Sequence, residues 1–179
     1  MAQLSYEIDA AKARRGMLAD SGLDKLVTSK LVELAAGIPA GVMVTRDGAT
    51  DEETQCLLPT AAADLTDDHV LGITLYDASK EPGTNAGNNE YDDEEAVPVL
   101  RRGRAWVIAE DDVTVEAGAQ CYVRHTSGTG TQLGAFRMDA DTAAAAAISN
   151  CRFVTAAYTV TINGEDQIVA MVEINHPNA

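Results

Sequence analysis

Short apolar runs separated by turn residues mark most of the chain after Gly37. The clearest run, at 70–76, alternates so that Leu71, Ile73 and Leu75 share one face of a predicted strand. Turn residues recur at roughly the 8–12 residue spacing typical of sandwiches and barrels. The other candidate strands are 42–46, 55–59, 97–100, 104–109, 113–115, 120–125, 153–160 and 167–174. The pattern predicts an all-β fold, a small β-barrel or sandwich of about nine short strands.

One pattern occurs twice, at 38–48 and at 115–125. In each copy an apolar residue leads into an Ala-Gly turn at Gly41 or Gly118, and a β-rich run follows that ends in an arginine. Glycine supplies the backbone freedom that a tight corner needs. The pattern carries no nucleophile, base or metal ligand at a useful spacing, so it indicates a scaffold.

Three further segments have recognisable signals. The runs 158–162 and 167–174 flank Asn163-Gly164, which favours a hairpin turn. Five consecutive alanines at 143–147 follow two aspartates, so one short helix is possible within 139–150. Residues 80–95 lack apolar periodicity and hold six acids with one lysine, which indicates a long exposed acidic loop.

The N-terminal residues differ from the rest of the chain. They are polar and irregular to about residue 26, and 28–36 could form either a strand or a helical turn. We therefore predict an extended N-terminal arm at 1–30 and a single β-domain at 31–179. The arm holds five bases and four acids, so it is nearly neutral beside a strongly acidic body.

Composition excludes several classes of protein. A net charge of -15 argues against a nucleic-acid partner, because phosphate binding needs clustered bases. No apolar run approaches the length of a membrane span. Cys56, Cys121 and Cys151 form no CxxC pair, which predicts reduced thiols in a protein synthesised in a cytoplasm. We expect no cofactor.

The acids at 90–95 are the one cluster that could bind a hard cation. Calcium takes several carboxylate oxygens, and Asp92, Asp93, Glu94 and Glu95 could supply them. The spaced order of a calcium-binding loop is missing, however. A solvated or partner-facing loop is the favoured interpretation.

Candidate catalytic groups are weaker still. His125 follows Cys121 by four residues, so alternation could place both on one face, but no orienting group or oxyanion site is indicated. The glycine-rich 128–134 lacks the lysine of a phosphate loop and is interpreted as a hairpin loop. The dense basic patch at 101–104 is interpreted as pairing with the surplus carboxylates, within the chain or between subunits. The chain is therefore predicted not to be an enzyme.

An ordered series of motifs along nearly the whole chain resembles one known family, the structural cement (capsid decoration) proteins of tailed bacteriophages. The motifs are Tyr6-x-Ile8-Asp9, 16–22, 38–41 with Val44, Gly72-Ile73, Trp106-Val107, 113–118, 122–124, Arg152-Phe153 and a closing strand at 170–174. The acidic loop and the alanine run are departures from the family pattern.

The resemblance implies a virion protein on the outer surface of a phage capsid that cements adjacent major capsid subunits against internal DNA pressure. It implies a homo-oligomer, dimer or trimer. Apolar groups on an arm too short to bury them are the expected partner contacts, and two arginines the expected salt-sensitive ones. These interface residues are Tyr6, Ile8, Met17 and Leu18, with Arg14 and Arg15. The alternatives are a tail or baseplate β-module, or a small hydrolase using Cys121 and His125.

Overall fold

Strands form most of the regular structure, which confirms the all-β prediction. The computed structural model describes residues 13–19, 25–46, 54–77, 90–110, 114–162 and 165–175. Within these residues the strands are β1 (Leu26–Val32), β2 (Ile38–Pro39), β3 (Met43–Thr45), β4 (Gln55–Cys56), β5 (Val70–Thr74), β6 (Glu90–Tyr91), β7 (Ala96–Ile108), β8 (Gln120–Arg124), β9 (Phe136–Arg137), β10 (Ala145–Phe153), β11 (Tyr158–Ile162) and β12 (Glu165–Asn175). Two short 3-10 segments, Ala62–Leu65 and Asp141–Ala143, complete the list.

The main sheet follows the order β3-β5-β7-β12-β10-β8-β9, with every pair on this path antiparallel. β1 adds to β7 and β4, β11 adds to β12, and β2 pairs with β6 separately. The described strands form no closed barrel. The two ends of the path still meet, because the amide of Met43 donates a 2.9 Å hydrogen bond to the carbonyl of Gly134. The sheet therefore folds back on itself.

β7 is the central strand of the fold. Sequence predicts two strands here, but one continuous strand of 13 residues forms. β1 pairs with its first part up to Arg102, and β12 pairs from Arg102 onward, so these two strands lie end to end along β7. The change of partner occurs beside Gly103, whose φ is +129°.

Two hydrophobic clusters lie on either side of β5, which is buried throughout. Ile73 and Leu75 pack in the larger cluster, whereas Leu71 packs in the other. The predicted single face for these three residues is therefore wrong. Gly72 has a φ of +142°, outside ordinary strand geometry, and this interrupts the alternation.

The predicted helix over the alanine run is wrong. Only Asp141–Ala143 form a 3-10 turn, and β10 begins at Ala145. β10 lies between β8 and β12 and buries Ile148 and Phe153. Backbone pairing of 145–147 with β8, together with burial of these side chains farther along β10, outweighs the helix propensity of alanine.

Other local predictions fare better. Both Ala-Gly corners are turns with a glycine φ of +85°, and they lead into β3 and β8. β11 and β12 form the predicted hairpin, although 163–164 lie outside the described residues. The loop at 128–134 joins the paired strands β8 and β9. Residues 114–115 form no strand, and the predicted strand 153–160 is interrupted between β10 and β11.

The predicted boundary at residue 30 falls inside β1. The first part of the 28–36 segment, up to Val32, is therefore a strand. Residues 1–12 and 20–24 lie outside the described residues. The division into arm and domain therefore stays a prediction.

Candidate functional site

The segment 13–19 lies along β7, on the edge that β12 leaves unoccupied. The amide of Gly16 donates to the carbonyl of Trp106 at 2.6 Å, and the amide of Trp106 donates to the carbonyl of Met17 at 2.9 Å. The amide of Ala19 donates to the carbonyl of Arg104, also at 2.9 Å. This part of the predicted arm therefore extends the sheet of its own domain.

The side chains of the segment also pack on that domain. Ala13 is fully buried with Trp106, and Met17 is half-buried against the same cluster. Leu18 packs against the larger core. The expectation that the arm is too short to bury its apolar groups is wrong for Met17 and Leu18, because the sheet itself covers them in part.

The remaining predicted interface residues are divided between two places. Arg14 donates from Nη1 to the hydroxyl of Tyr76 at 3.3 Å, with its guanidinium carbon 5.8 Å from the ring centre. Arg15 lines an open cleft of about 590 Å³ with Glu110, Gln167 and the loop 129–132. Tyr6 and Ile8 lie outside the described residues.

Three arginines share one face of the sheet. The cross-strand row Arg104–Glu173–Arg152 joins β7, β12 and β10. Arg104 donates from Nε to Glu173 at 2.8 Å, and Arg152 donates from Nη2 at 3.0 Å. In the next row, Arg102 donates to the side-chain oxygen of Asn175 at 3.2 Å. We call this surface the arginine face.

The apolar end of the same face lies next to this charged part. Alternation along β7 and β12 places Trp106 and Met171 on the side of Arg104 and Glu173. Tyr158 contacts Trp106 edge-to-face at 5.4 Å between ring centres and stays 39% exposed. At the other end, Leu26 pairs with Arg102 and is also exposed.

Comparison with known proteins shows the family of the chain. The model of the family described as "Structural cement protein (E217 gp24/Pam3 gp6)" matches residues 2–175. The chain belongs to the structural cement proteins. The resemblance and the prediction of a structural, capsid-stabilising virion protein are thereby confirmed.

A solved structure shares the fold. A chain from "The capsid of Myoviridae Phage XM1" matches with a TM-score of 0.67 and 16% identity, covering 98% of this chain and 97% of its own length. At that identity the likeness shows the fold alone. No curated protein matches the cement protein in sequence.

A buried ion-pair network lies beneath β8 and β9 of the cement protein. Glu110 accepts hydrogen bonds from Arg124, with Nη2 to Oε2 at 2.7 Å, and from Arg137. All three side chains are buried. The sequence pattern does not predict this network: Arg124 and Arg137 each follow an apolar strand residue, but neither position indicates burial on Glu110.

The network reaches a backbone turn at the surface. Arg124 donates from Nη2 to Oδ2 of Asp141 at 2.5 Å, which lowers the pKa of that carboxyl. The φ angles of Asp141, Thr142 and Ala143 are +40°, +53° and +70°, a left-handed conformation that non-glycine residues rarely adopt. The buried arginines therefore hold a strained turn in place, which is a structural role.

The proposed cysteine nucleophile is buried. Burial raises the pKa of Cys121, and a hydrogen bond with Cys151 acts in the same direction. Nδ1 of His125 lies 3.1 Å from the hydroxyl of Thr126, and no hydrogen bond links His125 to Cys121 in the described chain. Burial also raises the pKa of Cys56 to about 12. A protonated thiol is a poor nucleophile, so this geometry does not favour the hydrolase alternative.

The acids after β6 form a turn. The amide of Asp92 donates to Oε2 of Glu95 at 2.9 Å, and the amide of Val32 donates to the carbonyl of Glu95 at 2.9 Å. In the part of the chain that the structure describes, no three metal-binding side chains come together. Residues 80–89 of the predicted acidic loop lie outside that part. Among the described residues, no helix is both long and apolar enough for a bilayer span.

The described basic patch at 101–104 is divided among local partners. Arg104 pairs with Glu173, as the interpretation of pairing within the chain requires. Arg102 bonds to an amide instead. The sequence pattern singles out this patch, and it gives Arg152 only as part of a family motif. Only the register of β10, β11 and β12 brings Arg152 and Tyr158 to the same face.

Proposed function

We propose that this cement protein binds the outer surface of an assembled phage capsid and joins adjacent major capsid subunits, so that the shell resists the pressure of packaged DNA. The observation that carries the proposal is the match of the cement family over nearly the whole chain. The protein acts as a homo-oligomer, dimer or trimer, without catalysis and without a nucleic-acid or membrane partner.

Charge supports an outer position. The protein carries a net charge of -15, and like charge would repel it from packaged DNA. The protein has thirteen bases. Two of them, Arg124 and Arg137, are buried in ion pairs with carboxylates and so cannot contact phosphate. An outer position places the capsid wall between this acidic body and the packaged DNA.

The anchored segment supports a role for the residues before it. Because 13–19 are fixed along β7, the preceding residues start from a defined point on the domain. Tyr6 and Ile8 fall in that preceding stretch and are the proposed apolar contacts with a capsid subunit. Arg14 and Arg15 follow directly and are the proposed salt-sensitive contacts. Met17 and Leu18 contribute mainly by fixing the arm.

Two truncations test this division. Deleting 1–12 should leave the melting temperature within about 3 °C of the full chain and abolish capsid binding, because the deleted residues precede the buried Ala13. Deleting 1–22 should in addition destabilise the domain by about 3 kcal/mol or more, because it removes three backbone hydrogen bonds to β7 and buried apolar surface. Binding is measured by co-sedimentation with capsids of the parent phage purified without the protein, and stability by thermal and urea unfolding.

The full-length chain is the positive control, and image reconstruction of decorated particles gives its location. Full occupancy of the shell by the 1–12 deletion would contradict the role of the arm. A wild-type chain found on the tail, or on no part of the particle, would contradict the proposed function itself.

A further inference from the structure

We propose that the arginine face is the part of the folded domain that contacts the shell, and that its partner is an acidic surface of a capsid subunit. The inference rests on the proposed function and names the second half of the same interface. It is carried by charge, by residue type and by position relative to the anchored segment.

Charge on this face opposes that of the whole protein. The rows that define it hold three arginines, Arg102, Arg104 and Arg152, and one carboxylate, Glu173. Along β12, the described acid nearest in sequence to Glu173 is Asp166. It precedes Glu173 by about 23 Å of extended strand. A basic surface on a chain of net charge -15 fits an acidic partner and is unfavourable for a basic one.

The arginines are held and yet available. Glu173 fixes both Arg104 and Arg152, and their hydrogen bonds keep its pKa below the ordinary value, so it remains ionised near neutral pH. The side chains of Arg104 and Arg152 are nevertheless 43% and 64% exposed. A guanidinium has five N–H donors, and Arg152 uses Nη2 for Glu173, which leaves donors for a partner carboxylate.

The apolar end has the residue types of an interface core. Tyr158 is an exposed aromatic side chain whose orientation is fixed by Trp106, and Met171 lies half-buried beside them. Tyrosine, tryptophan, methionine and arginine are the side chains enriched at protein interfaces, and pre-ordered aromatics bind with little loss of entropy. The face therefore joins an apolar anchor to a charged border.

The face also borders the anchored segment. Met17 and Ala19 pack with Trp106 in the same small cluster, so the arm and the arginine face are adjacent. A standard interface buries about 800 Å² on each partner. The arm and the arginine face together form a continuous surface that offers more area for burial than the arm alone.

A second copy of this chain is the competing occupant, because it is also acidic. The shell is favoured because the face adjoins the arm whose proposed partner is the shell. If a second copy occupies the face, a charge change should alter the mass of the protein in solution. If the shell occupies it, the same change should alter the affinity for particles.

The test uses the full-length chain and the variant Arg152→Glu. Its matched control is the double variant Ala35→Glu/Ser127→Glu, which alters net charge equally at exposed positions in the turn after β1 and in the loop after β8. Arg152→Lys retains the charge, and Tyr158→Ala removes the apolar anchor independently. Affinity for capsids that lack the protein is measured by co-sedimentation at low and high salt, mass in solution by light scattering, and folding by melting temperature.

Arg152→Glu should weaken binding tenfold or more at low salt, with a smaller loss at high salt, and Tyr158→Ala should weaken it at both. The control and Arg152→Lys should stay within about threefold of wild type. Wild-type affinity in both Arg152→Glu and Tyr158→Ala would overturn the inference and leave the proposed function intact. A change of mass in solution with unchanged affinity per bound chain would assign the face to a second copy and also overturn it. Failure of the wild-type chain to bind would overturn the proposed function instead.

Discussion

At Gly72 the backbone of β5 passes so close to β7 that an added Cβ atom would lie 2.2 Å from the carbonyl oxygen of Leu100. The φ of +142° is also unfavourable for any side chain. This one residue shifts the alternation of β5 and so divides its side chains between two clusters. A glycine inside a strand pattern indicates such an approach, but the sequence does not identify the approaching strand.

Gly72→Ala should therefore destabilise the protein by about 3 kcal/mol or more, from steric overlap together with backbone strain. Gly118→Ala is the matched control, because its φ is also positive but no atom lies within 4 Å of the added Cβ. The control should cost about 1 kcal/mol. Urea unfolding measures both, and equal losses would show that contact with Leu100 has no energetic weight.

The buried ion-pair network marks the limit of sequence reasoning for single residues. Arg124 and Arg137 end apolar strand runs, and Glu110 follows the end of β7. Nothing in their spacing shows that the three meet, because β8, β9 and the end of β7 come together only through long-range pairing. The charges were visible in the sequence, whereas their neutralisation was not.

Among the elements, β10 and the turn before it depart furthest from local preference. The alanines favour a helix, yet pairing with β8 holds Ala145, Ala146 and Ala147 in a strand. Asp141–Ala143 form a left-handed turn, and two buried arginines contact the carboxylate at its start. The turn therefore depends on an ionised Asp141.

That dependence predicts a response to acid. Because the folded pKa of Asp141 lies below its ordinary value, its carboxylate adds stability above about pH 4, the unfolded pKa, and loses this as the pH falls through the folded pKa. Asp141→Asn should lower the melting temperature at pH 7, and its difference from wild type should shrink below pH 4. The control Asp68→Asn, in an exposed turn, should change the melting temperature little at either pH. A pH-independent difference for Asp141→Asn would show that the charge is not what holds the turn.

Apolar patterns located most of the longer strands, including β5, β8 and the β11–β12 hairpin. These patterns failed where a strand forms only because another strand pairs with it. β2, β6 and β9 are two residues long and exist only through their pairing, and β7 continues through Gly103 because β1 and β12 pair on either side of that point. Such features carry no local signal.

For the whole molecule, the sharing of β7 unites the two clusters. Leu100 and Val107 lie in the larger cluster, and Val97 and Val99 lie in the other. Because both clusters contain side chains of β7, displacement of this strand would expose both clusters to water. The sequence predicted an arm at 1–30 and a single β-domain, and the pairing of 13–19 with β7 could not be predicted because the open edge of β7 that accepts this segment is a tertiary feature.

A single unfolding transition should follow. Fluorescence of Trp106, the one tryptophan, reports the end of β7, whereas far-UV circular dichroism reports all strands. The two signals should give the same urea midpoint. Separate midpoints would mean that the clusters unfold independently, and the expectation from β7 would then be wrong.

The position of β12 has a consequence during synthesis. β7 ends at Ile108 and its neighbour β12 begins only at Glu165, so the ribosome must add all of the intervening chain and β12 itself before the middle of the sheet can close. Until then the nascent polypeptide exposes the edge of its longest strand, the state in which chaperones bind and aggregation starts. The sheet can therefore reach its native pairing only after β12 has left the ribosome.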